Sequence, residues 1–524
     1  MSDIHVVVLA AGKGTRMKSQ LPKVLHHIGG ITIIERVIRT AAALRPKTIT
    51  VVIGHGADDV RKALANRSDL QFVTQEQQLG TGHALMQTRP VLDGQSGTVL
   101  LLSGDVPLLT VESLRALLGV HETTSASATV VTAVLPRPFG YGRIVRNNGR
   151  ITKIVEEKDA TPAQRAITEI NSGVWAFELE TLFGALDAIG TANKQGEYYL
   201  TDLVAIHRKH KREVSTWTVG RADEVRGINS RTELAEVSTM VRQQKNEELM
   251  AAGVTIIDPA TTYVDADVVV GADTVIYPCV FLEGSTRIGS ACEIHAGSRI
   301  VNSTIGDRVC VRNHTVVNDS IVESGVSLGP FAHIRPGSEV GEGAHVGNFV
   351  ELKKTTMGKG AKANHLAYLG DAKIGEKTNV GAGTITCNYD GEKKHQTTIG
   401  AGVFVGSNST LVAPVTLADG SYIAAGSAVT TDVPAGALGI ARARQENKEG
   451  WVARRVQKKA EGGRLEDVRY RRLHRTETGR PCATRRAAAA RIPRLRLSGR
   501  GRRAERRRRS PAQRRQVDQS RKCD

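Results

Sequence analysis

Beyond Gly253, aliphatic residues recur at intervals of six over most of the chain. Neither an α-helix, which repeats every 3.6 residues, nor a plain strand, which alternates every two, produces this period. Six residues make one short strand and a turn, so that every sixth side chain points inward and stacks on its neighbours. The period therefore predicts a left-handed parallel β-helix with three faces. Three runs carry the pattern: Val264, Val270, Ile276, Leu282, Ile288, Ile294 and Ile300; Val322, Leu328, Ile334, Val340, Val346 and Leu352; and Ile399, Val405, Leu411, Leu417, Ile423 and Val429.

Glycines follow many of these aliphatic positions and suit the corners between short strands. They are Gly271, Gly289, Gly306, Gly341, Gly347, Gly400 and Gly406. Prisms of this kind commonly trimerise, because each coil exposes flat faces that one chain alone cannot cover. We therefore expect a β-helix domain over residues 253–459 and a homotrimer.

The N-terminal part of the chain has a glycine-rich loop, residues 9–17, directly after an apolar run. The order strand, glycine loop, helix is typical of a phosphate-binding loop, since glycines let backbone N–H groups approach an anion. Lys13, Arg16 and Lys23 add positive charge. A tight turn that binds no ligand is the alternative. The loop lacks the closing Gly-Lys-Ser/Thr of a Walker motif and resembles the opening of sugar-1-phosphate nucleotidyltransferases.

Residues 1–230 alternate short Val/Ile/Leu runs, at 49–53, 98–102 and 128–134, with helical periods such as that of residues 33–44. This alternation predicts a Rossmann-like α/β domain with a mostly parallel sheet, whose ligands lie at the carboxyl ends of strands. Residues 231–252 are rich in Glu, Gln, Leu and Ala and contain no Pro, which predicts one linker helix.

Polar residues follow the predicted strands in this domain. Gln75 and the small-residue loop 79–83 permit close approach of a base and a ribose, and Asp105 follows the run 100–102. A carboxylate in that place is a natural ligand for Mg²⁺, which prefers oxygen donors. The alternative is that Asp105 caps the next helix.

Taken together, motifs from Val6 to about Lys458 resemble the bacterial bifunctional enzymes that are both N-acetylglucosamine-1-phosphate uridylyltransferase and glucosamine-1-phosphate N-acetyltransferase. The resemblance implies acetyl transfer from acetyl-CoA to glucosamine-1-phosphate in the C-terminal domain. Mg²⁺-dependent uridylyl transfer from UTP to N-acetylglucosamine-1-phosphate would follow in the N-terminal domain and release pyrophosphate. The product, UDP-N-acetylglucosamine, supplies peptidoglycan and lipopolysaccharide precursors. No protein nucleophile is required, because Mg²⁺ and cationic side chains can neutralise the transferred phosphoryl group.

The same resemblance implies the ligand contacts of the N-terminal domain. The nucleotide and its phosphates would be bound by Leu9, Ala10, Ala11, Gly12, Lys23, Gln75, Gly80 and Thr81, with Arg16 adding charge. The sugar would be bound by Gly142, Glu156, Asn171 and Asn229, and Mg²⁺ by Asp105 and Asn229. Some relatives carry Tyr in place of Ser103, which affects the contact on the base side.

In the β-helix, residues 363–370 interrupt the six-residue count, and an interruption of this kind predicts a projecting functional loop. A single histidine is more often structural, but polar residues on flanking coils favour a catalytic role for His365. The resemblance implies that His365 is the general base for acetyl transfer. It implies a sugar-phosphate site of Arg335, Lys353, Tyr368 and Asn379, and an acetyl-CoA site of Ala382, Asn388, Tyr389, Ser407, Ala425 and Arg442.

The composition limits the other functional classes. The chain has a formal charge of +19, but residues 461–524 hold 22 Lys and Arg against 7 Asp and Glu, so most of the excess lies there. Nucleic-acid binding is therefore expected at most as a nonspecific property of that tail. The six cysteines show no Cys-x-x-Cys spacing, which predicts neither a zinc site nor a disulfide framework. With no signal or membrane-spanning pattern, a cytoplasmic location is expected.

In residues 460–524 the aliphatic pattern gives way to an arginine-rich tail that we expect to be disordered. Displacing the reading frame by one nucleotide permits, over residues 467–481, a peptide that begins Met-Cys-Gly-Ile-Val-Gly-Tyr. That peptide resembles the start of glutamine:fructose-6-phosphate amidotransferase, which acts in the same pathway. We therefore interpret the tail as frame-shifted read-through into a neighbouring gene.

Two other functions remain open at this point. One is a monofunctional sugar nucleotidyltransferase that uses its β-helix only to oligomerise. The other is a regulatory binding module of the same two-domain build, which would need no metal-binding pair.

Overall fold

The computed structural model describes residues 3–460, so the predicted tail lies outside the described residues except for residue 460. The chain divides into two compact units, the first ending at Arg444 and the second beginning at Gln445. The first unit contains the α/β domain, the linker helix and the β-helix. The second unit contributes to the described part only the segment 445–460, whose helix lies at Trp451–Ala460 and whose side chains are exposed.

The α/β domain is built on a mixed, mostly parallel sheet, as the alternation of elements predicts. Its strands are β1 (Ile4–Leu9), β2 (His27–Ile28), β3 (Ile31–Thr32), β4 (Thr48–Ile53), β5 (Leu70–Thr74), β6 (Thr98–Ser103), β7 (Ala128–Val134), β8 (Arg143–Asn147), β9 (Arg150–Val155), β10 (Glu169–Glu178) and β11 (Val214–Thr218). The main sheet has the order β11-β7-β10-β6-β1-β4-β5, with β8 paired to β10, β9 paired to β8, and a separate hairpin of β2 and β3. Only β10 runs antiparallel within that order.

Helices cover both faces of the sheet and connect it to the β-helix. They are α1 (Ile33–Ala42), α2 (Ala57–Ala63), α3 (Thr81–Met86), α4 (Arg89–Leu92), α5 (Val111–Thr123), α6 (Pro162–Arg165), α7 (Leu179–Leu186), α8 (Leu203–Lys209) and α9 (Arg231–Ala251). Helix α10 (Trp451–Ala460) belongs to the second unit. Short 3-10 helices lie at Thr15–Met17, Lys23–Leu25, Leu200–Asp202 and Ala222–Val225. Among residues 3–460, no helix has the length and apolar character needed to cross a membrane.

Strand β1 lies in the interior of the sheet and fixes the position of the glycine loop. Val6, Val7 and Val8 are fully buried, because β1 pairs in parallel with β4 and β6 and helices pack on both of its faces. The continuous apolar run is therefore that of a strand buried on both sides. The loop that follows Leu9 must emerge at the carboxyl edge of the sheet.

Helix α9 connects the two domains and is held at both ends. The Ser230 side chain caps its start by accepting the Glu233 N–H at 3.2 Å. Near its other end, Asn246 Nδ2 donates to the carbonyls of Pro259 and Thr262, at 2.9 and 3.1 Å, in the first coil. These hydrogen bonds attach the linker helix firmly to the prism.

A bidentate ion pair also joins the two domains directly. The Arg39 guanidinium donates to both carboxylate oxygens of Asp267, at 2.5 and 3.1 Å. Planar two-point pairing of this kind fixes orientation as well as distance. The α/β domain is thus anchored on the first coils of the β-helix.

The β-helix has three parallel sheets, which confirms the architecture predicted from the period of six. The first face comprises Thr255–Ile256, Val275–Ile276, Glu293–Ile294, Cys310–Val311, Ser327–Leu328, His345–Asn348, Lys362–His365, Asn379–Val380, Phe404–Val405, Tyr422–Ile423 and Leu438–Gly439. The second face comprises Tyr263–Val264, Phe281–Glu283, Arg299–Val301, Val316–Asn318, His333–Ile334, Glu351–Lys353, Tyr368–Gly370, Ile385–Cys387, Thr410–Val412 and Ala428–Val429. The third face comprises Val269–Val270, Arg287–Ile288, Thr304–Ile305, Ile321–Val322, Glu339–Val340, Thr356–Met357, Ala372–Ile374, Thr397–Ile399 and Val415–Leu417.

The projecting loop of the β-helix is not where the sequence count placed it. Residues 363–370 stay within the coils, since strand Lys362–His365 pairs with the strands before and after it and Tyr368–Gly370 does the same. The coil is 17 or 18 residues long in most places, but Asn379 pairs with Phe404, 25 residues later. The extra residues form a loop at 388–396. The prediction was wrong because one side of a coil can have five residues in place of six. A coil of 17 residues therefore continues the prism without a projecting loop.

The coiled strands end at Gly439, earlier than residue 459, to which the β-helix domain was expected to extend. Residues 440–459 contain many Arg, Lys, Glu and Gln and lack aliphatic side chains at the six-residue spacing. Without inward-pointing apolar residues, a further coil has nothing to stack on the prism.

Candidate active sites

The glycine loop lies at the carboxyl edge of the sheet, between the ends of β4 and β6. The Ala10 N–H donates to the Val52 carbonyl at 2.8 Å, and the Gly104 N–H donates to the Leu9 carbonyl at 2.9 Å. Ala10 and Ala11 are buried. These residues, which the sequence predicts to bind the nucleotide, thus fix the backbone path of the loop, and the side chains of Ala10 and Ala11 point into the core.

The two glycines of the loop are required for different reasons. Gly14 has a φ of +58°, and a Cβ there would lie 2.8 Å from the Cβ of Lys23. A Cβ on Gly12 would meet no protein atom within 4 Å, so internal packing does not demand a glycine there. The open space fits an anion that must approach the backbone closely. Arg16 is exposed in the 3-10 helix beside this space.

Three side chains from distant parts of the sequence meet beside the loop. The Lys23 ammonium forms an ion pair with the Asp105 carboxylate and donates to Asn229 Oδ1 at 3.1 Å. The cap of α9 holds Asn229 in place, because Glu233 Oε2 accepts the Asn229 N–H at 2.7 Å. The residues that begin α9 therefore also position Asn229 beside Lys23.

Asp105 does not cap a helix, which excludes the alternative interpretation of its motif. Helix α5 is capped by Thr110, whose hydroxyl accepts the Ser113 N–H at 3.1 Å. The Asp105 carboxylate and the Asn229 amide oxygen instead converge on one cation, the Lys23 ammonium. Two oxygen donors that already hold a positive charge form a donor set that fits Mg²⁺.

The predicted contacts on the base side lie together between β5 and α3. Gln75 is buried, and its Nε2 donates to the Gly80 carbonyl at 3.1 Å and lies 3.1 Å from His83 Nδ1. The Thr81 hydroxyl accepts the Leu200 N–H at 3.4 Å. The glutamine therefore braces the small-residue loop against the sheet.

Three of the four predicted sugar-binding residues, Gly142, Glu156 and Asn171, form one cluster, whereas Asn229 lies with Lys23 and Asp105. A Cβ on Gly142 would lie 3.4 Å from Glu156 Oε1 and 3.6 Å from the Cβ of Asn171. Thr201 donates to Glu156 Oε1 at 3.1 Å. Burial raises the pKa of Glu156. The cluster offers a desolvated carboxyl group and an amide in a space that only glycine leaves open, which suits a sugar with several hydroxyl groups.

In the β-helix, His365 belongs to a line of residues that we call the His365 column: Asn348, His365, Ala382, Ser407 and Ala425. Asn348 pairs in register with His365, and the registers of the following coils place the other three at the equivalent position. From His365 to Ala425 the column spans three coil spacings, or roughly 14 Å. That length suits an extended ligand.

The tautomer of His365 is set by its neighbour. His365 Nδ1 lies 2.7 Å from Asn348 Oδ1, and an amide oxygen can only accept, so Nδ1 carries the proton. The exposed imidazole therefore presents Nε2 as the unprotonated nitrogen. Asn348 was not predicted, although its distance of 17 residues from His365 is one coil length.

A second group lies along the end of the second face, and we call it the second-face cluster: Arg335, Lys353, Tyr368, Asn388 and Tyr389. Its basic residues pair with carboxylates that were not predicted. Arg335 lies 2.7 Å from Glu351, and Lys353 Nζ lies 3.6 Å from Asp371. The described contacts give His365 a side-chain hydrogen bond to Asn348 and none to this cluster.

The 388–396 loop brings further groups to the second-face cluster. Asn388 Nδ2 donates to the Asp371 carboxylate. The neighbouring Lys353 ammonium lowers the pKa of Lys394. Lys394 was not predicted, and the two adjacent ammonium groups make this corner a suitable place for a phosphate.

Two predicted residues lie at the edges of these groups. Asn379 begins its first-face strand opposite Lys362, at the other end of the strand from the His365 column. The pairing of Tyr422 with Leu438 places Ala441 opposite Ala425, so Arg442 directly follows the end of the His365 column.

Comparisons with known proteins found relatives of both domains. A family model described as a MobA-like NTP transferase domain matches residues 6–163, and a model of bacterial transferase hexapeptide repeats matches residues 319–354. A protein of Shouchella clausii named bifunctional protein GlmU is 47% identical over 87% of this chain and all of its own length. Proteins of the same name from Trichlorobacter lovleyi and Streptococcus suis are 49% and 48% identical over 87% of this chain, and 99% and 98% of their own lengths.

Proposed function

The chain belongs to the bifunctional GlmU family and is a bifunctional enzyme of UDP-N-acetylglucosamine synthesis, and we propose which residues perform each of its two reactions. Uridylyl transfer takes place where the glycine loop meets Lys23, Asp105 and Asn229. Acetyl transfer takes place at His365. The observation that carries the first assignment is the convergence of two oxygen donors on a cation beside a loop open to an anion.

In uridylyl transfer, a phosphate oxygen of N-acetylglucosamine-1-phosphate attacks the α-phosphorus of UTP, and the bond to pyrophosphate breaks. Mg²⁺ held by Asp105 and Asn229 would supply positive charge to the phosphate oxygens. The backbone around Gly12 binds phosphate oxygens through its N–H groups, and Lys23 and Arg16 neutralise further charge. Lys23 reaches the phosphates by exchanging its contact with Asp105 for one with the nucleotide.

The sugar is oriented by the cluster of Gly142, Glu156 and Asn171. Glu156 already accepts one hydrogen bond from Thr201 and has a second carboxyl oxygen for a sugar hydroxyl. Because the carboxyl group is desolvated, that hydrogen bond is stronger than it would be in water. Positioning the sugar phosphate for in-line attack is the main contribution of these residues.

In acetyl transfer, the amine of glucosamine-1-phosphate attacks the thioester carbonyl of acetyl-CoA. Nε2 of His365 takes the proton of the amine, the C–S bond breaks, and the proton is then available to the leaving coenzyme A thiolate. Asn348 keeps the imidazole in the tautomer that can accept this proton. Coenzyme A lies along Ala382, Ser407 and Ala425, and no covalent acyl-enzyme is needed.

The separation of the His365 column from the second-face cluster supports an active homotrimer. In a trimer of prisms, the column of one chain faces the second-face cluster of its neighbour, which brings base and phosphate-binding residues to the same substrate. The sites are then incomplete in a single chain.

Mixed trimers test this arrangement. Co-expressed His365→Ala and Lys353→Ala chains, each inactive by itself, should recover about one quarter of wild-type acetyl transfer, because a quarter of the interfaces combine two intact halves. Separately expressed chains assayed before mixing are the control. If the mixed trimers remain inactive while light scattering shows that they form, each site belongs to one chain.

The assay that tests both assignments uses the full chain with each half-reaction measured separately. Pyrophosphate release from UTP reports the first activity, and free coenzyme A thiol reports the second. A monofunctional nucleotidyltransferase would show only the first activity, and a regulatory module would show neither. Since UTP and acetyl-CoA are cytoplasmic metabolites, we propose the cytoplasm as the place of both reactions.

A further inference from the structure

A second set of ligating side chains lies on the first face, several coils before the His365 column. Glu293 and His295 flank the buried Ile294 on one coil, and Cys310 precedes the buried Val311 on the next. Glu293 pairs in register with Cys310. Because residues on either side of an inward-pointing residue face outward, all three side chains leave the same flat surface.

The three ligand atoms are close together. His295 Nε2 lies 3.2 Å from Glu293 Oε2, and the nitrogen, the oxygen and the Cys310 sulfur all lie within 4.8 Å of one another. Ligands of a tetrahedral zinc ion, with bonds of about 2.0 to 2.3 Å, are about 3.3 to 3.8 Å apart. The longest allowed separation of 4.8 Å exceeds the upper limit of this range by about 1 Å. A small change in the χ1 angle of Cys310 can remove that difference without a change in the backbone.

Neighbouring residues prepare these side chains for a metal. The Tyr277 ring stacks on His295 with centroids 4.5 Å apart and an angle of 9° between the planes, which fixes the imidazole. A metal that binds Cys310 would displace the proton of its thiol. Glu293 and the thiolate supply two negative charges, which balance a divalent ion.

We propose that Glu293, His295 and Cys310 form a binding site for a zinc-class ion, with water as the fourth ligand. Nitrogen, sulfur and oxygen donors together select a borderline ion such as Zn²⁺, in contrast to the two oxygen donors at Asp105 and Asn229. The bound ion joins two adjacent coils of the prism. The spacing of the cysteines in the sequence gives no sign of this site, because its ligands come together through the register of the coils.

Cobalt titration of the full-length, metal-stripped protein tests the site, since Co²⁺ has visible bands where Zn²⁺ has none. The wild type should show a thiolate-to-cobalt charge-transfer band and tetrahedral d–d bands that saturate at one ion per chain, and added Zn²⁺ should remove both. Cys310→Ser should lose the charge-transfer band and bind Zn²⁺ at least about tenfold more weakly. Cys279→Ser, which removes an exposed thiol of the same domain, is the matched control and should behave as wild type.

A histidine variant distinguishes a site with three protein ligands from metal binding by the Cys310 thiol alone. His295→Gln should keep Cys310 but weaken Zn²⁺ binding at least about tenfold. Circular dichroism of the metal-free variants checks that the prism is folded. Absence of the charge-transfer band in the wild type, equal bands in wild type and Cys310→Ser, or unchanged affinity in folded His295→Gln would each overturn the proposal.

Discussion

The α/β domain and the β-helix assemble their sites in different ways. Lys23 meets residues 82 and 206 positions away in the sequence, because the loops that follow the parallel strands of the sheet all lie at the same edge. His365 meets Asn348 at a distance of 17 residues, and the rest of its column follows at one residue per coil. A solenoid builds a site from its repeat, whereas the α/β domain builds one from its whole topology.

The two domains should respond differently to a single substitution. In the β-helix each coil contacts mainly its neighbours, so a substitution should act locally. In the α/β domain the proposed metal-binding pair, Asp105 and Asn229, depends on the end of β6 and on the cap of α9. The two domains are joined by α9 and by the Arg39–Asp267 pair, so a change in one site should leave the other active.

Asp105→Ala should give the largest difference between the two regions. Loss of the carboxylate removes the proposed charged ligand of Mg²⁺ and leaves Lys23 without its ion-pair partner, so uridylyl transfer should fall by about 10³-fold or more. Acetyl transfer should stay within about twofold, as both half-reactions measured on one preparation would show. Asp93→Ala, at an exposed position of the same domain, is the control. Equal loss of both activities in a folded protein would contradict the two-site arrangement.

His365→Ala should produce the opposite pattern. Acetyl transfer should fall by about 10² to 10⁴-fold, the usual effect of removing a positioned general base, while uridylyl transfer is unchanged. Asn348→Ala should cost less, because it disturbs only the tautomer and orientation of the imidazole. His314→Ala, another exposed histidine of the prism, should have no effect. A change below about threefold for His365→Ala would make that residue structural.

Acid should destabilise the α/β domain through His207. Burial lowers the pKa of His207 from 6.5 to about 4, so below pH 6.5 the unfolded chain takes up a proton that the folded domain refuses. The contribution of His207 to the free energy of unfolding is therefore highest above about pH 6.5. It falls by a total of about 3 kcal/mol as the pH is lowered toward 4. Urea unfolding followed by tryptophan fluorescence reports this domain, because Trp175 is fully buried there.

Variants identify the source of that pH dependence. His207→Phe should reduce the slope of the curve between pH 7 and pH 4.5, and the remaining slope is expected from His5, His26 and His121, whose pKa values burial also lowers. His55→Gln, at an exposed position of the same domain, should leave the curve unchanged. If His207→Phe retains the full slope, other groups cause the acid sensitivity.

Ser230→Ala should have the smallest effect, and it should lower both the stability of the protein and the rate of uridylyl transfer. Loss of a helix cap costs about 1 kcal/mol, and here it also loosens Asn229, so uridylyl transfer should fall several-fold. Thr32→Ala removes the equivalent cap of α1, which accepts the Glu35 N–H at 3.2 Å, and lies outside the site. The two variants should lose similar stability in thermal unfolding, and only Ser230→Ala should lose uridylyl transfer. Equal activities would show that Asn229 is held independently of the cap.

Much of the fold and part of each site could be predicted from the sequence. The period of six predicts the three faces, because an inward-pointing aliphatic side chain is a local property that repeats with each strand. The glycine loop, Asp105 and Asn229 could be recognised because each lies in a short motif. The sequence could not show whether Asp105 caps a helix, since that depends on where α5 begins.

The tertiary structure alone decided which polar groups meet. Thr201 bonds Glu156 and Asp371 faces Lys353 because separate segments return to the same place, and no local pattern records that return. It also decided that the loop at 388–396 projects while residues 363–370 stay in the coil, since a corner can absorb one residue but not seven or eight. Apolar periodicity is set residue by residue along the chain, whereas polar contacts depend on how distant parts of the chain are brought together.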